Sequence, residues 1–426
     1  MKLIVEKTEK IEGEITIPGS KSHTIRAVII ASLAEGTSKI INPLKADDTT
    51  AAVNACRVLG ARINTENEKE WVIEGFSHKP KNPNAVLNMA NSGTSLRLIS
   101  GIIAALCDFT IQLEGDESLS TRPMQPLLKS FNELGAEALS VNNNGYCPLK
   151  IKGKMQGGST DIIGLSSQYV SSLLLACPLL SQDTEIRVEK PAEIPYIKMT
   201  LKWLDEQGIK YQASDDLTRF KVNGNQRYHA FEKTIPADWS SAAFPLVSAA
   251  ITDSNLLVKG LDINDTQGDK AIIDYLKKMG ADIQTEENGI RIKGKQLQGC
   301  ELDLNNTPDA LPALSVLGCF AEGTTTLVNV AQARIKETDR IKVMTEELSK
   351  MNADIKEREE GLIIHKSELK GNKVRGHNDH RIVMALSLAG LIAEGKTKIT
   401  TAESINVTFP GYVKLMKNVG ARLSTE

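Results

Sequence analysis

Two short patterns alternate along the 426-residue chain, and each recurs six times with a period of roughly 70 residues. The first has Gly, or once Asn, where a helix would end, at Gly60, Gly135, Gly208, Gly280, Asn352 and Gly420. These two residue types best tolerate the left-handed conformation that ends many helices. After several copies the chain alternates, turns and alternates again, as over 282–293, which predicts a β-hairpin.

The second pattern is a polar helix start followed by a nearly continuous apolar helix. Its copies begin at Ser20, Asn91, Ser166, Asp238, Thr307 and Asn378. Helices that are apolar nearly all round, such as 27–34 and 382–389, belong in the centre of a domain. Each repeat therefore predicts one buried helix and one amphipathic helix, with strands between them. Chance recurrence of Gly-Ala dipeptides in a chain with 31 glycines is the alternative, and the shared spacing of the two patterns argues against it.

Six repeats divide naturally into three and three, with a predicted hinge near 234–237. The chain is also longer than one hydrophobic core usually supports, so we expect two α/β domains. If the buried helices of a domain point the same way, their N-termini present free N–H groups and positive dipole ends to one cleft. Such a cleft binds phosphates and carboxylates.

Composition excludes several classes of function. A net charge of −2 and 4% aromatic residues argue against a nucleic-acid surface. The six cysteines lack the close spacing of zinc ligands, and we expect them to be reduced and mostly buried. The alternating start 1–5 is unlike a signal or transit peptide, and no apolar stretch approaches about 18 residues. We therefore expect a cytoplasmic protein without a membrane partner.

Charged residues concentrate at the predicted helix starts. The segment 336–340 carries five polar residues just before a helix over 341–350. In isolation it would be a solvated first turn. Asp309 lies at the buried-helix start of the same repeat, however, and 379–381 at that of the next. Together they supply an acid pair, a histidine and three cations, which suits proton transfer beside a bound phosphate.

These residues resemble the enolpyruvyl transferase family, from about Lys7 to the C-terminus. The matching segments are 18–22, 91–94 with Arg97, 122–123, 166–168, 195–196, Asp238 with 240–242, 308–310, 336–340, 378–381 and 409–410. The resemblance implies two similar domains, each of three βαβαββ repeats with buried parallel helices, in the arrangement called an inside-out α/β barrel. It places 1–18 with 236–426 and leaves 19–235 as the other domain, with the active site in the cleft between them.

The resemblance further implies transfer of the enolpyruvyl group of phosphoenolpyruvate to the 5-hydroxyl of shikimate 3-phosphate by addition and elimination. The catalytic residues would be Lys21, Asp309 and Glu337. Shikimate 3-phosphate would be bound by Ser22, Arg26, Ser166, Ser167, Tyr196 and Lys336. Phosphoenolpyruvate would be bound by Lys21, Gly93, Arg122, Gln168, Arg340 and Arg381. No metal or organic cofactor is implied, and we expect a monomer whose partners are these small substrates.

Three positions depart from the family pattern as the resemblance gives it. Glu193 stands where many members have Ser, and its carboxylate would lie near the substrate phosphate unless it turned away. Val407 and Gln332 replace a Lys and an Asn of some relatives. The nearest alternative is a UDP-N-acetylglucosamine enolpyruvyl transferase, but the loop 115–122 lacks that enzyme's reactive Cys and Lys21 precedes Ser rather than Asn. The second alternative is a catalytically silent homologue that binds anions.

Overall fold

The computed structural model describes residues 1–426, which form two compact units. The N-terminal-half unit is Gly19–Ile235, and the C-terminal-half unit combines Met1–Pro18 with Pro236–Glu426. Each unit contains three four-stranded sheets, six α-helices and its own hydrophobic core. No helix is both long enough and apolar enough to cross a membrane.

The N-terminal-half unit is built from the following elements. Its helices are α1 (Lys21–Leu33), α2 (Asp47–Val58), α3 (Gly93–Leu106), α4 (Gln125–Glu133), α5 (Ser167–Ala176) and α6 (Ile194–Glu206). Its strands are β3 (Thr37–Ile41), β4 (Arg62–Asn64), β5 (Glu70–Glu74), β6 (Leu87–Asn88), β7 (Ile111–Glu114), β8 (Glu137–Ser140), β9 (Leu149–Lys152), β10 (Gly158–Ile163), β11 (Thr184–Glu189), β12 (Tyr211–Ala213), β13 (Arg219–Val222) and β14 (Glu232–Thr234).

The C-terminal-half unit has a matching set. Its helices are α7 (Trp239–Ala250), α8 (Ile272–Lys278), α9 (Leu311–Phe320), α10 (Arg340–Lys350), α11 (His380–Ile392) and α12 (Tyr412–Asn418). Its strands are β1 (Leu3–Glu6), β2 (Glu12–Thr16), β15 (Asn255–Lys259), β16 (Asp282–Glu286), β17 (Gly289–Lys293), β18 (Glu301–Asp303), β19 (Thr324–Val328), β20 (Asp354–Arg358), β21 (Gly361–His365), β22 (Lys373–Arg375), β23 (Lys396–Thr400) and β24 (Leu423–Thr425).

All six sheets have the same strand pattern. An edge strand pairs in parallel with a second strand, and the second pairs antiparallel with the third, as in the order β6-β7-β9-β8. In the sheet of the last repeat, β1 takes the position that the second hairpin strand has elsewhere. Strand β2 supplies the parallel edge beside β15, and β14 supplies it beside β3. The repeated βαβαββ unit confirms the predicted α/β class.

The buried helices are the odd-numbered ones, α1 to α11. Within the N-terminal-half unit α3 packs against α1 and α5, and within the C-terminal-half unit α7, α9 and α11 pack against one another. All six residues predicted to end the other helices have a positive φ, between 70° and 114°. The predicted hairpin is also present, as β16 and β17.

Four of the predicted helix starts are capped by side chains, namely those of Ser92, Ser166, Asp238 and Asp379. Two starts differ from the prediction. Ser20 makes no capping bond through its side chain, and 308–310 form a 3₁₀ turn that leads into α9. The Pro at 312 lies in the first turn of α9, where no N–H is needed.

The close packing of α3 on α5 depends on a glycine. A Cβ placed on Gly101 would lie 2.4 Å from the hydroxyl of Ser172 and 2.9 Å from its carbonyl oxygen. We expect Gly101→Ala to lower the free energy of unfolding by about 1–3 kcal/mol, because overpacking against backbone outweighs the gain in helix propensity. Urea unfolding measures the change. Lys129→Ala, on the exposed face of α4, is the control, and its free energy of unfolding is expected within about 0.5 kcal/mol of wild type. An equal effect of both changes would contradict the packing argument.

Candidate active site

The starts of three buried helices meet inside the C-terminal-half unit. Arg381, in the first turn of α11, donates from Nη2 to the hydroxyl of Ser240 at the start of α7, at 2.6 Å. The same nitrogen lies 3.1 Å from Oδ2 of Asp309, which precedes α9. Because free N–H groups and positive dipole ends gather at helix starts, this is where a phosphate or carboxylate would be stabilised.

Arg340, the first residue of α10, is fully buried and contacts three carboxylates. Its Nε donates to Asp379 at 2.8 Å, its Nη1 to Asp309 at 2.7 Å, and its Nη2 to Glu337 at 2.5 Å. Burial alone would lower the pKa of the guanidinium, but these carboxylates outweigh it and raise the pKa above its ordinary value. We call Asp309, Glu337, Arg340, Asp379 and Arg381 the carboxylate–guanidinium cluster.

Asp309 and Glu337 are the two most exposed members of the cluster, with side chains 20% and 10% exposed. Burial raises the pKa of Asp309, but the charges of Arg381, Lys336 and Arg340 outweigh it and hold the pKa well below its usual range. Asp309 is therefore a carboxylate at neutral pH and can accept a hydrogen bond from a hydroxyl group.

Two aspartates hold the cluster in place. Asp379 accepts from the N–H of Arg381 at 2.9 Å and so caps α11 while it binds Arg340. Asp339 caps α10 by accepting from the N–H of Lys342 at 3.0 Å. Within the segment 336–340, Asp339 therefore has a structural role, whereas Lys336, Glu337 and Arg340 are the residues predicted to act on a substrate.

In the N-terminal-half unit, Lys21 opens α1 and pairs with Asp48 in the first turn of α2. Its Nζ lies 2.9 Å from Oδ2 of Asp48, and both side chains are largely buried. The pair directs the ammonium group of Lys21, because Asp48 is nearly inaccessible and is held by its helix. An ion pair in such surroundings is screened less than one on the surface.

Arg26 lies one turn further along α1 and is buried without a carboxylate among its hydrogen-bond partners. It donates to the hydroxyls of Thr200 and Ser171 and to the carbonyls of Ser22 and Tyr196. Burial lowers the pKa of this guanidinium to about 10, opposed only in part by Tyr196. A buried cation among neutral dipoles favours the arrival of an anion.

Two further arginines approach the start of α3. Arg122 donates to the side-chain and backbone oxygens of Asn91, and Arg97 donates to Oε1 of Gln168 at 2.7 Å. A Cβ on Gly93 would lie 3.0 Å from Nη1 of Arg122 and 3.1 Å from Nη1 of Arg97. Glycine at this position therefore lets both guanidinium groups come close to a helix N-terminus.

The start of α5 carries an anion from the chain itself. Glu193 is buried, adopts φ 53°, and its Oε2 accepts from the N–H and the hydroxyl of Ser167, at 3.1 and 2.7 Å. Ser166 caps the same helix. Glu193 is thus turned toward Ser167, one of the residues predicted to bind shikimate 3-phosphate. Tyr196 follows in the first turn of α6.

The predicted site residues therefore fall into two groups within the units. Lys21, Ser22, Arg26, Gly93, Arg122, Ser166, Ser167, Gln168 and Tyr196 lie at the starts of α1, α3, α5 and α6 or in the loop before α4. Asp309, Lys336, Glu337, Arg340 and Arg381 lie at the starts of α9, α10 and α11 or just before them. Val407 is buried at the end of a 3₁₀ helix, and Gln332 donates to the carbonyl of Asn305 at 2.7 Å.

Three residues that lie at helix starts, Arg97, Asp379 and Asp48, were not among the predicted site residues. Arg97 and Asp379 lie in segments that the sequence did single out, but each also fits a plain helix start. Asp48 carried no such signal, because an acidic first turn is common in ordinary helices. Its role follows only from the distance to Lys21.

Comparison with known proteins gives consistent matches over the full chain. Residues 5–416 match the family model for EPSP synthase (3-phosphoshikimate 1-carboxyvinyltransferase). The chain is 52% identical to the 3-phosphoshikimate 1-carboxyvinyltransferase of Acetivibrio thermocellus and 49% identical to that of Ruminiclostridium cellulolyticum, over 99% of each chain. A solved EPSP synthase from Acinetobacter baumannii superposes with a TM-score of 0.84 at 31% identity and covers 100% of this chain and 99% of its own.

The depressed pKa of Asp309 predicts an acid-sensitive contribution to stability. A carboxylate whose pKa is lower in the folded state stabilises the fold above its unfolded pKa, about 3.9, and the contribution is lost as pH falls below that value. Asp309→Asn should therefore lower the free energy of unfolding at pH 7 and flatten its decline between about pH 4 and 2. Urea unfolding across this range tests it, with exposed Asp354→Asn as control. An unchanged pH profile in Asp309→Asn would contradict it.

Proposed function

This chain belongs to the EPSP synthase family, the 3-phosphoshikimate 1-carboxyvinyltransferases of the shikimate pathway, and we propose how its residues divide the work of that reaction. The reaction moves the enolpyruvyl group of phosphoenolpyruvate to the 5-hydroxyl of shikimate 3-phosphate and releases phosphate. The observation that carries the proposal is the carboxylate–guanidinium cluster, in which two partly accessible carboxylates are held by one buried arginine.

The acid–base work belongs to the cluster in the C-terminal-half unit. Asp309, ionised because of its cationic neighbours, accepts the proton of the 5-hydroxyl as the oxygen attacks C2 of phosphoenolpyruvate. Glu337, with Lys21, delivers a proton to the methylene carbon C3. The tetrahedral intermediate then loses a proton from its C3 methyl group to Glu337 and phosphate from C2, which leaves the enolpyruvyl ether. Arg340 keeps both carboxylates at fixed positions throughout.

The anion-binding work belongs to residues at or near the helix starts. Ser22, Arg26, Ser166, Ser167 and Tyr196, with Lys336, hold shikimate 3-phosphate. Lys21, Gly93, Arg122 and Gln168, with Arg340 and Arg381, hold phosphoenolpyruvate. The buried position of Arg26 without a carboxylate partner supports the first assignment, and the close approach of Arg122 to Gly93 supports the second. Guanidinium groups suit this task because they offer paired donors to phosphate and carboxylate.

The alternative acceptor, UDP-N-acetylglucosamine, is not favoured. The family model and the similar proteins from Acetivibrio thermocellus and Ruminiclostridium cellulolyticum carry the 3-phosphoshikimate name over nearly the whole chain. The preserved acid–base residues likewise disfavour a silent anion-binding homologue. We also propose that the protein acts as a monomer in the cytoplasm, and sedimentation equilibrium at micromolar concentration tests the first point.

Loss of the proposed acid should stop turnover without abolishing binding. We expect the wild-type protein with shikimate 3-phosphate and phosphoenolpyruvate to release inorganic phosphate, and Glu337→Gln to release it about 10²–10⁴ times more slowly. Calorimetric titration should still detect both substrates, because the cations that bind them remain. Phosphate release is followed by a coupled colorimetric assay.

Exposed Glu368→Gln makes the same chemical change away from the cluster and is expected to match the wild type. Replacing shikimate 3-phosphate with UDP-N-acetylglucosamine should give no phosphate. Absence of phosphate release by the wild type with shikimate 3-phosphate would overturn the proposed function, and unchanged turnover by Glu337→Gln would overturn the role of that residue.

A further inference from the structure

Glu347 is a buried carboxylate that the reaction itself does not use. It lies near the C-terminal end of α10, and its side chain is 1% exposed. Its Oε1 lies 2.8 Å from Nε2 of His377 and 2.7 Å from Nζ of Lys350, and its Oε2 accepts from the N–H of Arg375 at 2.9 Å. Burial raises the pKa of Glu347, but the bonds from His377, Lys350 and Arg375 outweigh it and lower the pKa to about 2.

Two of these partners belong to the segment 375–379, which joins β22 to α11 and ends in Asp379 of the cluster. His377 and Asn378 both have left-handed backbone conformations, with φ of 53° and 56°. Such conformations cost energy for residues other than glycine, less for Asn than for most, so two in succession are kept by the contacts around them. The segment therefore needs external contacts to keep its shape.

The other side of the segment is held by strand β23 and by α11. The N–H of Asn378 donates to the hydroxyl of Thr401, and the N–H of Gly376 to the carbonyl of Thr400. A Cβ on Gly376 would lie 2.2 Å from a methyl group of Val383 and 2.6 Å from the oxygen of Thr400. Glu347 thus holds the beginning of the segment from the side of α10.

Arg340 and Glu347 are seven residues apart, which is two turns, so they lie on one face of α10, roughly 10 Å apart along its axis. Arg340 binds Asp379 at the end of the segment, and Glu347 binds Arg375 and His377 at its beginning. The helix is therefore joined to the segment at two points rather than one. Two points fix a direction as well as a distance.

We propose that Glu347 and His377 form a positioning pair that sets the orientation of α10 against the 375–379 segment, and through Arg340 the placement of Asp309 and Glu337. The inference rests on the proposed roles of those two carboxylates. Neither member of the pair is among the residues proposed to contact a substrate. The pair acts by keeping Arg340 and Asp379 in register, so that the guanidinium reaches Asp309 and Glu337 together.

The test is Glu347→Gln, because one amide oxygen cannot accept the three bonds that the carboxylate accepts. We expect kcat/KM for phosphoenolpyruvate to fall about tenfold per folded molecule, while KM for shikimate 3-phosphate stays within about twofold. Neighbouring Glu346→Gln, on the exposed face of α10, is the matched control and should leave both values unchanged. A purely structural role would lower the folded fraction and leave both values per folded molecule unchanged.

His377→Ala and His377→Gln test the pair from the other side. Both bear the same left-handed backbone, so their difference isolates the side-chain hydrogen bond. The glutamine variant should retain most activity, and the alanine variant should lose as much as Glu347→Gln. If Glu347→Gln does not fold, the two His377 variants decide the question.

Values within twofold of wild type for both Glu347→Gln and His377→Ala would overturn the inference. Glu337→Gln measured in parallel separates the two proposals. Its retention of full activity would refute the roles of the carboxylates, whereas its loss of activity beside an unaffected Glu347→Gln would refute the positioning pair alone.

Discussion

The buried charge of Arg340 is the constraint on which the arrangement of the C-terminal-half unit depends. Desolvation of a guanidinium with no exposed surface costs several kcal/mol, and at Arg340 three acidic partners offset that cost. Its three partners come from three places in the chain: the turn before α9, the residues before α10, and the start of α11. Pairing this one side chain therefore brings the fifth and sixth repeats together and orients the carboxylates that we propose to carry out proton transfer.

The repeat supplies the geometry in which such a cluster can form. Each βαβαββ repeat buries one helix, and the N-terminus of that helix lies near the N-termini of the neighbouring buried helices. Polar residues far apart in sequence therefore meet without long loops. Close packing of the helices needs small residues such as Gly101 at the contacts, and the close approach of arginines to a helix start needs Gly93. The same repeated backbone thus carries different chemistry at each helix start.

Much of this architecture could be predicted from the sequence, since periodicity reports helices and turns. The six helix-ending residues and the hairpin over 282–293 were predictable because each depends on local chemistry. The pairing of β1 with β23 and of β14 with β3 could not be predicted from periodicity. In both cases the paired strands are distant in sequence, and neither strand has a residue pattern that identifies its partner. Asp48, Asp379 and Glu347 are similar: each resembles an ordinary helical acid until its partner is located.

The buried guanidinium groups of Arg340 and Arg381 differ in their partners from that of Arg26, and the difference matches the work proposed for each. In the C-terminal-half unit, Arg340 and Arg381 contact Asp309 or Glu337, the carboxylates that we propose to move protons. In the N-terminal-half unit, Arg26 is surrounded by hydroxyls and carbonyls and keeps an uncompensated charge, which an anionic ligand can neutralise. At the start of α5, Glu193 already accepts from the N–H and the hydroxyl of Ser167. The proposed binding of shikimate 3-phosphate at this helix start therefore requires that the ligand share these donors with the carboxylate of Glu193 or displace it, because a buried donor left without a partner is costly.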